Sequence, residues 1–80
     1  MARIIKRIQV CTFQEAIKAN CEDLGEVIIR YNSEYKEYSV TPSWYKDGTY
    51  FTDYKPDAYA SAQAIVNGVR NTYGLKSISF

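Results

Sequence analysis

Two serine–lysine pairs, Ser33-x-x-Lys36 and Ser43-x-x-Lys46, have the spacing at which some acyl-transfer enzymes set a lysine beside a serine nucleophile. That chemistry needs the lysine one helical turn beyond the serine, and both pairs fall in segments that read as strand and turn. Asp47, Asp53 and Asp57 could supply an acid–base pair acting on a sugar. A turn, a strand end and a helix start account for them without catalysis. The chain has no histidine, and Cys11 and Cys21 fall two soft ligands short of a zinc site. If the residues between the cysteines are helical, a rise of about 1.5 Å per residue holds them about 15 Å apart. A disulfide needs Cα atoms within about 7 Å. The expectation is a protein with no catalytic residues, no metal and no cofactor.

Tyrosine carries a different chemistry, that of contact. Seven of the eight tyrosines lie between Tyr31 and Tyr59, interleaved with Trp44 and Phe51. Tyrosine offers rigid, amphipathic area with only two torsions to freeze, which suits binding surfaces. The plainer account is strand propensity, with cross-strand aromatic pairs each stabilising a small sheet by about 0.2–1 kcal/mol.

The elements that would position these side chains can be read from period and punctuation. Residues 3–10 place Ile4, Ile8 and Val10 on one face of an extended chain and read as a strand. Thr12-Phe13-Gln14-Glu15 is a capping box, with Cys11 and Ala16 at the positions of a hydrophobic staple. It predicts a helix over 12–24, with Phe13, Ala16, Ile17, Cys21 and Leu24 as its apolar stripe and Gly25 as its cap. Three strands follow, at 27–31, 35–41 and 49–53, the last two joined by Asp47-Gly48, which fits a two-residue type I′ loop with positive φ at both positions. Pro42 marks a kink or bulge. Pro56 opens a second helix whose stripe is Ala58, Ala62, Ile65, Val66, Val69 and Tyr73, and Gly74 caps it. Leu75–Phe80 could add a short last strand.

The fold class expected is α+β: a single small domain, 1–80, in the order β-α-β-β-β-α. Two helices cover one face of an antiparallel sheet of three to five strands. Setting Tyr31 opposite Lys36 puts Val27, Ile29, Tyr31, Tyr38 and Val40 on the core face. With Trp44 paired to Phe51 across the turn and no bulge, those two join the core face. Tyr35, Tyr45, Tyr50 and Tyr54 are left as a solvent-facing patch, the expected partner-binding site, unless the N-terminal strand or a second copy of the chain covers it.

Net charge and length narrow the partner. Ten basic and nine acidic residues give +1, a poor match to the basic stripe of a dedicated nucleic-acid binder. No apolar run approaches the roughly 20 residues that span a membrane, and the first ten residues lack the pattern of a signal peptide. A cytoplasmic protein is the expectation. The order α-β-β-β-α from residue 12 to 74 resembles the outline of a double-stranded-RNA-binding domain in topology. Such domains carry a basic cluster at the start of the last helix, where this chain reads Lys55-Pro56-Asp57-Ala58-Tyr59. The hairpin-then-helix stretch YKDGTYFTDYKPDAYASAQAI is similar in pattern to the arm-binding module of phage-type recombinases. Neither likeness assigns a family.

The reading that remains is a small non-catalytic protein-binding module. Minimal chains of this kind are frequent among accessory proteins of phages and mobile elements, including anti-defence inhibitors that occlude a host protein surface. Nucleic acid held on a tyrosine-rich sheet face is the alternative, at about 1–3 kcal/mol per stacked base. A homodimer is a further candidate assembly.

Overall fold

The structure, a computed structural model, describes residues 2–80. Strands β1 (Ala2–Gln9), β2 (Glu26–Asn32), β3 (Glu37–Pro42) and β4 (Tyr50–Thr52) form one sheet in sequence order, antiparallel throughout. Helix α1 (Phe13–Lys18) lies between β1 and β2, and α2 (Lys55–Thr72) follows β4. This is the α+β architecture and element order expected, with four strands and two helices. Among the described residues no helix is long and apolar enough to cross a membrane.

The core lies between the sheet and α2. Ala58, Ala62 and Val66 recur every fourth residue on α2 and are fully buried against Val27, Ile29 and Val40 of the sheet, with Ile8 and Val10 beside them. Methyl side chains at 58 and 62 let the helix axis approach the strands closely. Ile65, Val69, Tyr38 and Tyr59 pack around this centre, half-buried. Tyr31 and Tyr38, paired across β2 and β3, set their rings 4.7 Å apart at 47°.

The β2–β3 register runs two residues beyond the expected one: Tyr31 faces Tyr38, and Ile29 faces Val40. A shift of two preserves which side chains share a face, so the core-face set stands. The shift follows from the loop. Asn32 Oδ1 accepts from the Glu34 amide at 3.0 Å, and Lys36 takes φ 49°, which closes the hairpin over residues 33–36. The sheet's bulge lies in β1, between Ile4 and Lys6, and Pro42 ends β3 without one.

Three expectations are corrected by the hydrogen bonds. First, α1 is six residues long. Its capping box forms as expected, with Glu15 N to Thr12 Oγ1 at 3.1 Å and Thr12 N to Glu15 Oε1 at 2.9 Å. Its end comes early because Asn20, at φ 55°, turns left-handed. Asn20 N then donates to Ile17 O and Cys21 N to Ala16 O, both at 3.0 Å, a Schellman cap. Of the anticipated stripe only Ala16 within α1 is buried.

Second, Asp47-Gly48 is not a type I′ turn. Lys46–Gly48 is a single 3-10 turn, and neither residue has positive φ. The connection runs from Ser43 to Thr49, so Tyr50 faces Val40 and Phe51 faces Ser39. Trp44 and Phe51 are therefore outside the core, 47% and 59% exposed.

Third, residues 75–80 form no strand, because side chains of α2 take their backbone groups. Asn67 Nδ2 donates to Ile78 O and Asn67 Oδ1 accepts from Ile78 N, each at 2.8 Å. Gln63 Oε1 accepts from Phe80 N at 3.3 Å. Gly74, at φ 77°, caps α2 as expected, with Leu75 N to Arg70 O at 2.9 Å.

Ile29→Ala is expected to cost about 2–5 kcal/mol of unfolding free energy. Phe51→Ala is expected to cost less than about 1 kcal/mol. Urea titration of both variants checks the assignment, and equal losses would contradict it.

Candidate functional site

The four tyrosines expected to share a face do not. Tyr35 stands at the tip of the β2–β3 loop and Tyr45 in the β3–β4 loop, at opposite ends of β3. Six strand residues put about 20 Å between those ends. Tyr50, opposite Val40, turns toward α2, where its hydroxyl donates to Asp57 Oδ2 at 2.6 Å. That hydrogen bond raises the Tyr50 phenol above its ordinary range and holds Asp57 below the usual carboxylate range. Tyr54 is the exposed residue just before α2. Two loops are the cause: the β2–β3 loop over 33–36 takes Tyr35 off β3, and the longer β3–β4 connection moves Tyr45 off the strand and places Tyr50 on the covered side.

Tyr45 also explains Gly48. A Cβ there would lie 2.7 Å from the Tyr45 ring and would displace it, so the glycine answers to close approach and not to backbone handedness.

The serine–lysine pairs do not assemble. Ser33 and Lys36 belong to the hairpin loop, while Ser43 Oγ accepts from the Glu26 amide at 3.0 Å and Lys46 opens the 3-10 turn. Among the described residues no group of three His, Cys, Asp or Glu is placed to hold a metal ion.

The feature that does assemble is the α1 end. It is fixed by Arg70, on the α2 stripe at the position after Ala58, Ala62 and Val66, and only 3% exposed. Arg70 reaches Glu15 with two hydrogen bonds, Nη1 to Oε1 at 2.9 Å and Nη2 to Oε2 at 2.7 Å. Its Nη1 also donates to Val10 O at 2.8 Å and its Nε to Lys76 O at 2.7 Å. Glu15 Oε1 simultaneously accepts from the Thr12 amide. The guanidinium, with that amide second, holds the Glu15 carboxyl down to about 2 from 4.5.

On this anchored helix Phe13 and Ile17 point to solvent, 81% and 63% exposed. Beside them runs a groove of about 340 Å³ lined by Cys11, Phe13, Ala16, Ile17 and Cys21, with Glu22 and Asp23 at its edge. Phe13 also borders a second, shallower hollow with Arg70 and Ile78. An exposed aromatic–aliphatic pair over a pocket can take up an apolar side chain, and the two carboxylates favour cations flanking it.

Sequence reasoning assigned Phe13 and Ile17 to the core, because periodicity reveals a stripe but not what covers it. Asn20, a residue that tolerates the left-handed region, was the available sign of an early helix end. Arg70 was overlooked although its spacing put it on the α2 stripe.

Comparison with known proteins finds no matching family model, no matching curated protein and no matching solved structure.

Two outcomes test this description. Glu15 has its pKa lowered by folding, so its contribution is complete above about 4.5 and is lost as pH falls through about 2. Stability measured by thermal melts should fall across that window, and Glu15→Gln should flatten the fall. Gly48→Ala should cost about 1 kcal/mol in the parent and almost nothing in Tyr45→Ala, because the clash goes with the ring. A double-mutant cycle measures that coupling.

Proposed function

We propose that this chain is a non-catalytic protein-binding module whose contact surface is the α1 end. Two exposed apolar side chains, Phe13 and Ile17, on a helix held in place by an ion pair to the buried Arg70, carry the reading. Monomeric surfaces scatter single apolar residues freely, but Phe13 and Ile17 stand together beside a groove on a fixed helix, where a partner can desolvate both. The partner chemistry that fits is an apolar side chain flanked by lysine or arginine, matched to Glu22 and Asp23. A module that binds without chemistry acts by occlusion, as accessory and inhibitor proteins of phages and mobile elements do. Tyr35, Tyr45 and Tyr54 are exposed one by one and extend the contact area at most singly.

Nucleic acid on a tyrosine sheet face is less well supported, because Tyr31, Tyr38 and Tyr50 share the side that faces α2. The open side offers Phe51, and a shallow cleft lined by Ile28, Arg30, Thr41 and Lys46.

Affinity capture from native host lysate, with and without nuclease, separates the two readings. Nuclease-resistant capture of a defined protein is expected. Phe13→Ser with Ile17→Ser should weaken it by about 2 kcal/mol or more, roughly 30-fold. The melting temperature should hardly change. Undiminished capture by that double variant would remove the α1 end from consideration, and nuclease-sensitive capture would favour nucleic acid.

A further inference from the structure

Cys11 and Cys21 are both free thiols, ten residues apart in the chain. A continuous helix would keep them apart, but the short α1 brings both to one residue. Cys11 precedes the N-cap, the position whose side chain staples to the fourth helical residue, Ala16. Cys21 is second past the C-cap, the position that contacts the third residue from the helix end, which is again Ala16. Only in a helix of six residues do these two contacts coincide. The hydrogen bonds agree: Cys21 N donates to Ala16 O at 3.0 Å, and Cys21 Sγ approaches the same oxygen at 3.6 Å. Both cysteines and Ala16 line the one groove.

We propose that Cys11 and Cys21 form a dithiol that closes to an intramolecular disulfide on reaction with a low-molecular-weight disulfide. Cys21 is the more exposed sulfur and reacts first. Its thiolate attacks the reagent, the reagent's S–S bond breaks, one small thiol leaves, and a mixed disulfide forms on Cys21. Cys11 then gives its proton to water and attacks the Cys21 sulfur, expelling the second small thiol. The two protein thiols lose two electrons and the reagent becomes two thiols. Burial first, and the neighbouring Cys11 second, push the Cys21 thiol pKa up, so the rate climbs with pH. The Schellman cap holds the Cys21 amide, while residues 22–24 beyond it belong to no helix or strand and can supply the backbone adjustment that disulfide geometry requires.

The test uses the full folded chain and oxidised glutathione at mildly alkaline pH, followed by acid quench, alkylation in denaturant and intact-mass measurement. The expected product has lost two hydrogens, takes no alkyl group and yields a peptide joining Cys11 to Cys21, with the glutathione adduct a minor species. Cys11→Ser should instead accumulate the adduct on Cys21, which shows the first step on its own. A parent chain that also stops at the adduct, or that stays unreacted while folded, would overturn the proposal.

Discussion

The Arg70 guanidinium is the constraint on which the rest of the arrangement depends. A buried cation is costly to desolvate, and it is tolerated where its donors are met by well-placed acceptors. Here they are met by a bidentate carboxylate and two backbone carbonyls drawn from three separate segments: Glu15 in α1, Val10 after β1, and Lys76 in the tail. One side chain thus joins the last turn of α2 to α1, to the end of β1 and to the tail. Without it the capping box of α1 would still be locally sound. Among the described residues no other ion pair ties that helix to α2, and its larger apolar side chains face outward.

The protein is consequently built from two zones of different character. Between α2 and the sheet the packing is tight and apolar, with alanines bringing helix and strands together. Around α1 and the tail, order comes from polar side chains acting on backbone groups: Asn67 on Ile78, Gln63 on Phe80, Glu15 on Thr12. Surfaces positioned in this way can remain apolar and exposed without collapsing into the core, which is how Phe13 and Ile17 stay presented.

What the sequence revealed divides along the same line. Local rules were reliable where one residue type meets one backbone need, as with Thr12 and Glu15 at the start of α1 or Gly74 after α2. Period gave the core face of β2 and β3 even though the register was off by two, because faces survive an even shift. Failures came where two rules compete. Asp47-Gly48 has the composition of a tight hairpin, yet Gly48 serves the Tyr45 ring. Phe13 and Ile17 have the spacing of a core stripe, yet the residue that decides their fate lies far along the chain. The candidate site was therefore illegible at the tyrosines, whose faces hung on that turn, and visible at α1 only as a misassigned core.

That separation along the chain has a consequence for synthesis. Glu15 and the Val10 carbonyl meet a partner that lies 55 and 60 residues later. In order of synthesis α1 precedes its anchor by 55 residues, so its docking is a non-local contact that carries loop-closure entropy. Its docking requires α2 to lie over the sheet, since Arg70 belongs to the last turn of that helix. The surface that the finished molecule presents most openly is thus fixed by a contact between the two ends of the sequence.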